Sequence, residues 1–359
     1  MLKMKLVLSA SEYMTSPVIP TVTLFIPQLL QPLELWQRDF LFEPKAAELG
    51  QLFRQFDVIQ NKPIKGLEAS LFSALGMPEN IELPTAYYRY QTHKLLNQPK
   101  MLVCADPIHL EVGMNDITLT EKITDLSELE AEEIIEELNK HFKQDGLVFE
   151  KGSAQQWYIV LPQVEELQTT PLSQVLRKNI ASYQPKSKAR NWQVIQNESQ
   201  MILHSCAVNQ QREMAGLTTL NSLWFWGGGQ PLKTKHDVVS IYCNKTAEPD
   251  VRMIAEAANC EFSSLENELP EFKSGRTLLV LEQLFSPAIH DNIDLYQQEL
   301  EQLDQQIIKP LKQAWQAGKI ELLINSCDGK VLKPIKPKAW KFWGKKPVSL
   351  SSVAHFGKG

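Results

Sequence analysis

The chain has 359 residues, 43% hydrophobic and 22% charged, with a formal net charge of −5. That make-up belongs to a globular protein of one large domain or two, and it excludes a disordered chain and general electrostatic attraction to nucleic acid. Cys104, Cys206, Cys243, Cys260 and Cys327 are far apart and odd in number, which excludes a disulfide framework or a paired metal motif.

The N-terminal run MLKMKLVLSASEYMTSPVIP is too short in apolar residues for a secretory core, and no stretch of 18 apolar residues occurs, so a cytoplasmic location is expected. Thr21 to Ile26 reads as a first buried strand, and Leu33 to Phe56 as helical, with Leu33, Leu35, Trp36 and Phe40 for packing. Gly66 to Met77 reads as a short apolar helix closed by glycine. Met101 to Cys104 and Asn115 to Leu119 read as strands, with Asp106-Pro107 turning between them and His109 beyond the turn. Ser127-x-x-Glu130 is a capping box ahead of Ala131, Ile134, Ile135, Leu138 and Phe142, and Asp145-Gly146 ends that helix. Leu147 to Phe149 and Trp157 to Leu161 supply two more strands, which makes an α+β module.

Gln168 to Arg190, broken by Pro171 and Pro185, reads as a return linker. Trp192, Ile195, Ser199, Ile202 and Cys206 recur at helical spacing, whereas Leu223-Trp224-Phe225-Trp226 suits a buried strand running into Gly227-Gly228-Gly229. Strands follow at Val238 to Tyr242, Thr277 to Leu281 and Ile320 to Ile324. Between them lie a helix from Pro249 to Ala258 and a long one carrying Ile293, Tyr296, Leu300, Leu303, Ile307, Leu311 and Trp315, which Pro310 should kink. From Lys330 onward, lysines are interleaved with Trp340, Phe342 and Trp343, a tail suited to an acidic partner, a membrane surface or single-stranded nucleic acid, or to pinning on its own domain.

Three segments together resemble a known family. Gln200-Met201-Ile202-Leu203-His204, then Val208-Asn209-x-x-Arg212, then Asn221-Ser222-Leu223-Trp224-Phe225-Trp226-Gly227-Gly228-Gly229 is similar to a stretch of the archaeal-type cofactor-independent phosphoglycerate mutases. The Glu-rich helix and strands from Ser127 to Val160 resemble that family's insert. The resemblance implies an α/β protein with a three-layer, alkaline-phosphatase-like core from 1–100 and 186–329, an inserted α+β domain with its return linker at 101–185, and a tail at 330–359.

In that family two divalent metals activate a serine that follows glycine, and Asp and His at strand ends hold the metals. Here Leu67 follows Gly66. A leucine side chain has no oxygen to carry a phosphoryl group or bind a metal, and Ser70 and Ser73 would lie on other faces of the helix. Of the metal ligands only His290, Asp291 and Asp328 remain as weak candidates. No phosphate loop or nucleophile elbow occurs elsewhere.

The leading expectation is therefore a mutase-like protein that has lost phosphoryl transfer, needs no cofactor, and binds a ligand or partner. Asn209, Arg212, Asn221, Trp226 and Gly228 would hold a small anionic or phosphorylated molecule near the glycine turn. The alternatives are an active mutase or phosphatase using manganese or zinc at a divergent site, and a scaffold that acts through its basic aromatic tail.

Overall fold

The computed structural model describes residues 19–54, 56–61, 66–79, 81–93, 99–114, 116–231, 234–244, 248–265, 269–335 and 350–354. In chain order the elements begin with β1 (Thr21–Phe25), α1 (Leu33–Phe40), α2 (Ala47–Leu52), β2 (Phe56–Asn61), α3 (Leu67–Ala74) and α4 (Thr85–Thr92). Next come β3 (Met101–Val112), β4 (Ile117–Lys122), α5 (Glu128–Phe142), β5 (Val148–Ser153), β6 (Gln156–Leu161), β7 (Leu167–Gln168) and β8 (Lys186–Ser187). After α6 (Trp192–Ser205), α7 (Ala207–Met214) and β9 (Ser222–Trp226) the chain forms β10 (Val238–Cys243), α8 (Glu248–Ala257), β11 (Glu261–Ser264) and β12 (Arg276–Val280). It closes with α9 (Phe285–Ile289), α10 (Ile293–Leu303), α11 (Lys309–Gln316), β13 (Glu321–Asn325), β14 (Lys330–Pro334) and α12 (Leu350–Ala354).

The result is a mixed α/β protein with two main sheets. The first runs β11-β10-β12-β1-β13-β14-β2; the first five strands are parallel, and β14 and β2 are antiparallel additions at one edge. Side chains alternate across a strand, so the two faces meet different helices. Leu24, Leu279, Leu322 and Ile324 pack with α1, α2, α10 and α11, whereas Phe25, Leu278, Val280 and Ile241 pack with α3 and α8.

In the second sheet β3 pairs successively with β6, β9 and β4. The SLWFW sequence of β9 explains why it sits there: Leu223 and Phe225 join the cluster under α5 and α6, and Trp224 and Trp226 join the cluster under α4. A strand bulky on both sides needs cover on both faces. The sequence-based boundary at 186 therefore falls inside the unit built on the second sheet, since α6 and β9 pack there.

Several expectations are corrected. Leu33 to Phe56 is not one helix: α1 stops at a left-handed Leu41, α2 is separate, and Phe56 starts an edge strand. Asp106-Pro107 is not a turn but lies inside the twelve-residue β3. Proline's fixed φ suits an extended chain, the residue before it favours extension, and the Pro107 carbonyl still accepts from the Ile123 amide. Lys330 to Pro334 is a strand paired with β13 and β2 rather than free tail, and α12 packs Leu350 and Val353 on the first core. Trp340, Phe342 and Trp343 lie outside the described residues. Pro310 acts as expected: without an amide it cannot close the helical turn, and a π-helical turn at Asp304–Ile308 separates α10 from α11.

Candidate functional site at the seam between the sheets

Parallel strands all end at the same edge, which is where open α/β sheets bind their ligands. Here β1, β12 and β13 run side by side, so the segments after Phe25, Val280 and Asn325 meet. The start of α3 is tied to that edge by the Gly66 amide, which donates to the Cys327 carbonyl at 2.8 Å. Gly66 has φ +95°, a conformation that favours glycine. It delivers Leu67, 7% exposed, into an apolar cluster with Phe25, Val280 and Cys327.

The polar groups around this edge are of limited reactivity. The Ser70 hydroxyl donates to the Gly66 carbonyl at 2.7 Å and is buried. Burial pushes the Cys327 thiol well up, so it stays protonated and poorly nucleophilic. Glu68 is buried and accepts from the Ser173 hydroxyl at 2.8 Å, and burial raises its pKa. Glu282, directly after β12, is pushed up to about 8, first by burial and then by the neighbouring carboxylates of Glu68 and Asp250. Glu282 can thus hold or release a proton near neutral pH.

Beside these carboxyls lies a buried ion pair that sequence reasoning missed, and it fixes α4 to the second sheet. Arg89 on α4 is 2% exposed and Asp106 on β3 is fully buried. Arg89 Nη1 donates to both Asp106 oxygens, at 2.9 and 3.1 Å, and Trp226 Nε1 donates to the same carboxylate at 2.8 Å. The guanidinium lies 5.0 Å from the centre of the Trp226 ring. Arg89 Nη2 reaches outward to Asp250 at the start of α8, 3.3 Å away. A half-buried carboxyl, Glu82, accepts from the Thr169 amide and hydroxyl and from the Gly228 amide, so it clasps the return linker to the glycine turn. The available signal was a lone arginine among the tyrosines of TAYYRYQT and a lone aspartate in an apolar strand: each charge, if buried, requires the other.

The residues singled out from sequence are dispersed by comparison. Asn209 donates to the Leu203 and Leu220 carbonyls and accepts from the Leu220 amide, so it pins the loop after α7. Arg212 is buried and engaged with Asp125 at 2.5 Å, Glu130 at 3.2 Å and the Thr218 carbonyl at 2.9 Å. Asn221 bonds both backbone groups of Leu110. All three side chains fix backbone or neighbouring carboxylates. Asn209 and Asn221 do border an open groove of about 640 Å³ with His109, His204, Glu111, Glu121 and Glu213, a lining ill matched to an anion. Trp226 and Gly228 instead belong to the seam described above.

Of the weak metal candidates, His290 is exposed, with Nδ1 against the Ser286 carbonyl at 2.8 Å. Asp291 accepts from Trp36 Nε1 at 2.8 Å, and Asp328 accepts from the Ser326 hydroxyl at 2.5 Å. Among the described residues no three His, Cys, Asp or Glu side chains are grouped so as to hold a metal ion.

No protein-family profile matches the chain, and no curated protein sequence matches it. Among solved structures, the chain is similar to the PH0037 protein from Pyrococcus horikoshii, with a TM-score of 0.45 and 12% identity over 88% of this chain and 87% of that one. It is also similar to the cofactor-independent phosphoglycerate mutase from Thermoplasma acidophilum DSM 1728, with a TM-score of 0.35 and 14% identity over 88% of this chain and 89% of that one. No helix among the described residues is long and apolar enough to cross a membrane.

Proposed function

We propose that this chain is a phosphoglycerate-mutase-like protein with a three-layer, alkaline-phosphatase-like core whose strand-end edge no longer transfers phosphoryl groups, and that it acts by binding a ligand or a partner. The observation that carries this reading is Leu67. It occupies the start of α3 at the carboxyl edge of the parallel strands, where the resembling family places its nucleophile, and its side chain is packed among Phe25, Val280 and Cys327. Phosphoryl transfer through a covalent intermediate needs an oxygen, nitrogen or sulfur nucleophile in that position. Ser70 and Cys327, the nearest alternatives, are engaged or held protonated. A ligand bound at this edge would meet Glu282, whose carboxyl titrates at about 8, beside the carboxyls of Glu68 and Asp250, a lining that disfavours a phosphate dianion.

The test is an assay for interconversion of 3- and 2-phosphoglycerate, and for phosphomonoester hydrolysis, with manganese or zinc supplied and bound metal quantified. The reading expects background rates. Turnover at ordinary enzymatic rates with stoichiometric metal would replace it with the active, divergent enzyme.

A further inference from the structure

The chain passes between the units of its two sheets twice, between α3 and α4 and after β9. Its two sides differ in charge. The first unit presents the carboxyls of Glu68, Asp250 and Glu282, while the other side brings Arg89, the Ser173 hydroxyl and Lys122, whose charge acts on Asp250. Arg89 bonds carboxylates on both sides.

The two halves of that bridge are unequal. Parting Arg89 from Asp106 would strand a guanidinium and a carboxylate in an apolar interior, a change proteins resist strongly. Parting Arg89 Nη2 from Asp250 costs less, because the Asp250 side chain is already 44% exposed to water and Arg89, itself buried, keeps Asp106 as its counter-charge. We infer that Arg89 is an electrostatic latch between the two units, permanently paired with Asp106 and reversibly paired with Asp250. The seam over the strand ends therefore opens at α8 while α4 stays with the second sheet. Opening exposes the Glu68 and Glu282 edge, and screening of the charges by salt favours it.

Hydrogen exchange read by mass spectrometry tests this on the full chain. In Asp250→Asn, and in the native protein at high salt, amides of α3, α8 and residues 169–174 should exchange about fivefold faster, the change expected for losing one half-exposed ion pair. Amides of β3 and β9 should keep their native protection, and salt should add little to Asp250→Asn. Asp250→Lys, which repels Arg89, should open the seam further. Unchanged protection at the seam in both variants would overturn the latch. So would loss of protection in β3 and β9 together with the seam, since the Asp250 contact would then be part of one cooperative core.

Discussion

Replacing Asp106 with alanine is the sharpest test of what fixes α4, and with it Arg89, to the second sheet. The carboxylate accepts two hydrogen bonds from Arg89 and one from Trp226, and no part of it is exposed. Removing it leaves a guanidinium at 2% exposure without its main counter-charge, and breaking a buried pair from one side costs about 3–5 kcal/mol. Against a typical folding stability of about 5–15 kcal/mol, that is a large fraction. Arg89→Met should cost a similar amount, because it strands the carboxylate instead. The double variant Arg89→Met/Asp106→Leu removes both charges and leaves only Trp226 Nε1 unpaired, so it should lose just ~1–3 kcal/mol. Urea unfolding of the native protein, both single variants and the double variant gives the coupling directly. A cost below about 1 kcal/mol for Asp106→Ala, or additive single effects, would refute the idea that this pair fixes α4 to the second sheet.

Other consequences are equally specific. Glu282 has its pKa raised on folding, so the folded state holds a proton that the unfolded chain releases; its contribution is fully present below the unfolded carboxyl pKa and is lost as pH rises towards about 8. Glu282→Gln should flatten that decline and leave the protein more stable at pH 8, by on the order of 2 kcal/mol, and parallel stability–pH curves for variant and native would contradict it. Asn209→Ala should cost roughly 2–3 kcal/mol in thermal or urea unfolding, because three buried backbone bonds to Leu203 and Leu220 lose their partner; an effect under ~0.5 kcal/mol would mean the loop does not need them. Gly229→Ala would place a Cβ 2.0 Å from the Glu82 carbonyl oxygen and should destabilise by about 3 kcal/mol or prevent folding, as expression and melting temperature would report.

Much of the local structure was legible because its signals are local. The Ser127 and Glu130 capping box is formed as written, and the three-or-four spacing from Ile293 to Trp315 gave a helix whose π turn falls just before Pro310. β2 was not legible because FDVIQN is an edge strand without a buried face, and β14 was not because the lysines and proline of KVLKP read as tail, although pairing with β13 and β2 buries most of it. Asp106-Pro107 carries the composition of a turn, and only the distant Arg89 and Trp226 explain an aspartate inside a strand. Asn209 and Arg212 share a helical face as their spacing required, but whether such polar groups serve a ligand or a loop depends on Leu220, Asp125 and Thr218, residues that spacing does not bring near. Sequence reasoning pointed at Leu67, whereas Glu68 beside it gives no sign in sequence of being buried, nor Glu282 of being half-buried next to it.

Intact-mass spectrometry after incubation with phosphoglycerate and manganese, with peptide mapping of any modified residue, bears most directly on the loss of phosphoryl transfer. The expected result is an unmodified chain for the native protein and for Leu67→Ser, since one hydroxyl does not rebuild the surrounding cation ligands. A phosphoryl group on Ser70, or on any other side chain at the ends of β1, β12 and β13, would contradict it.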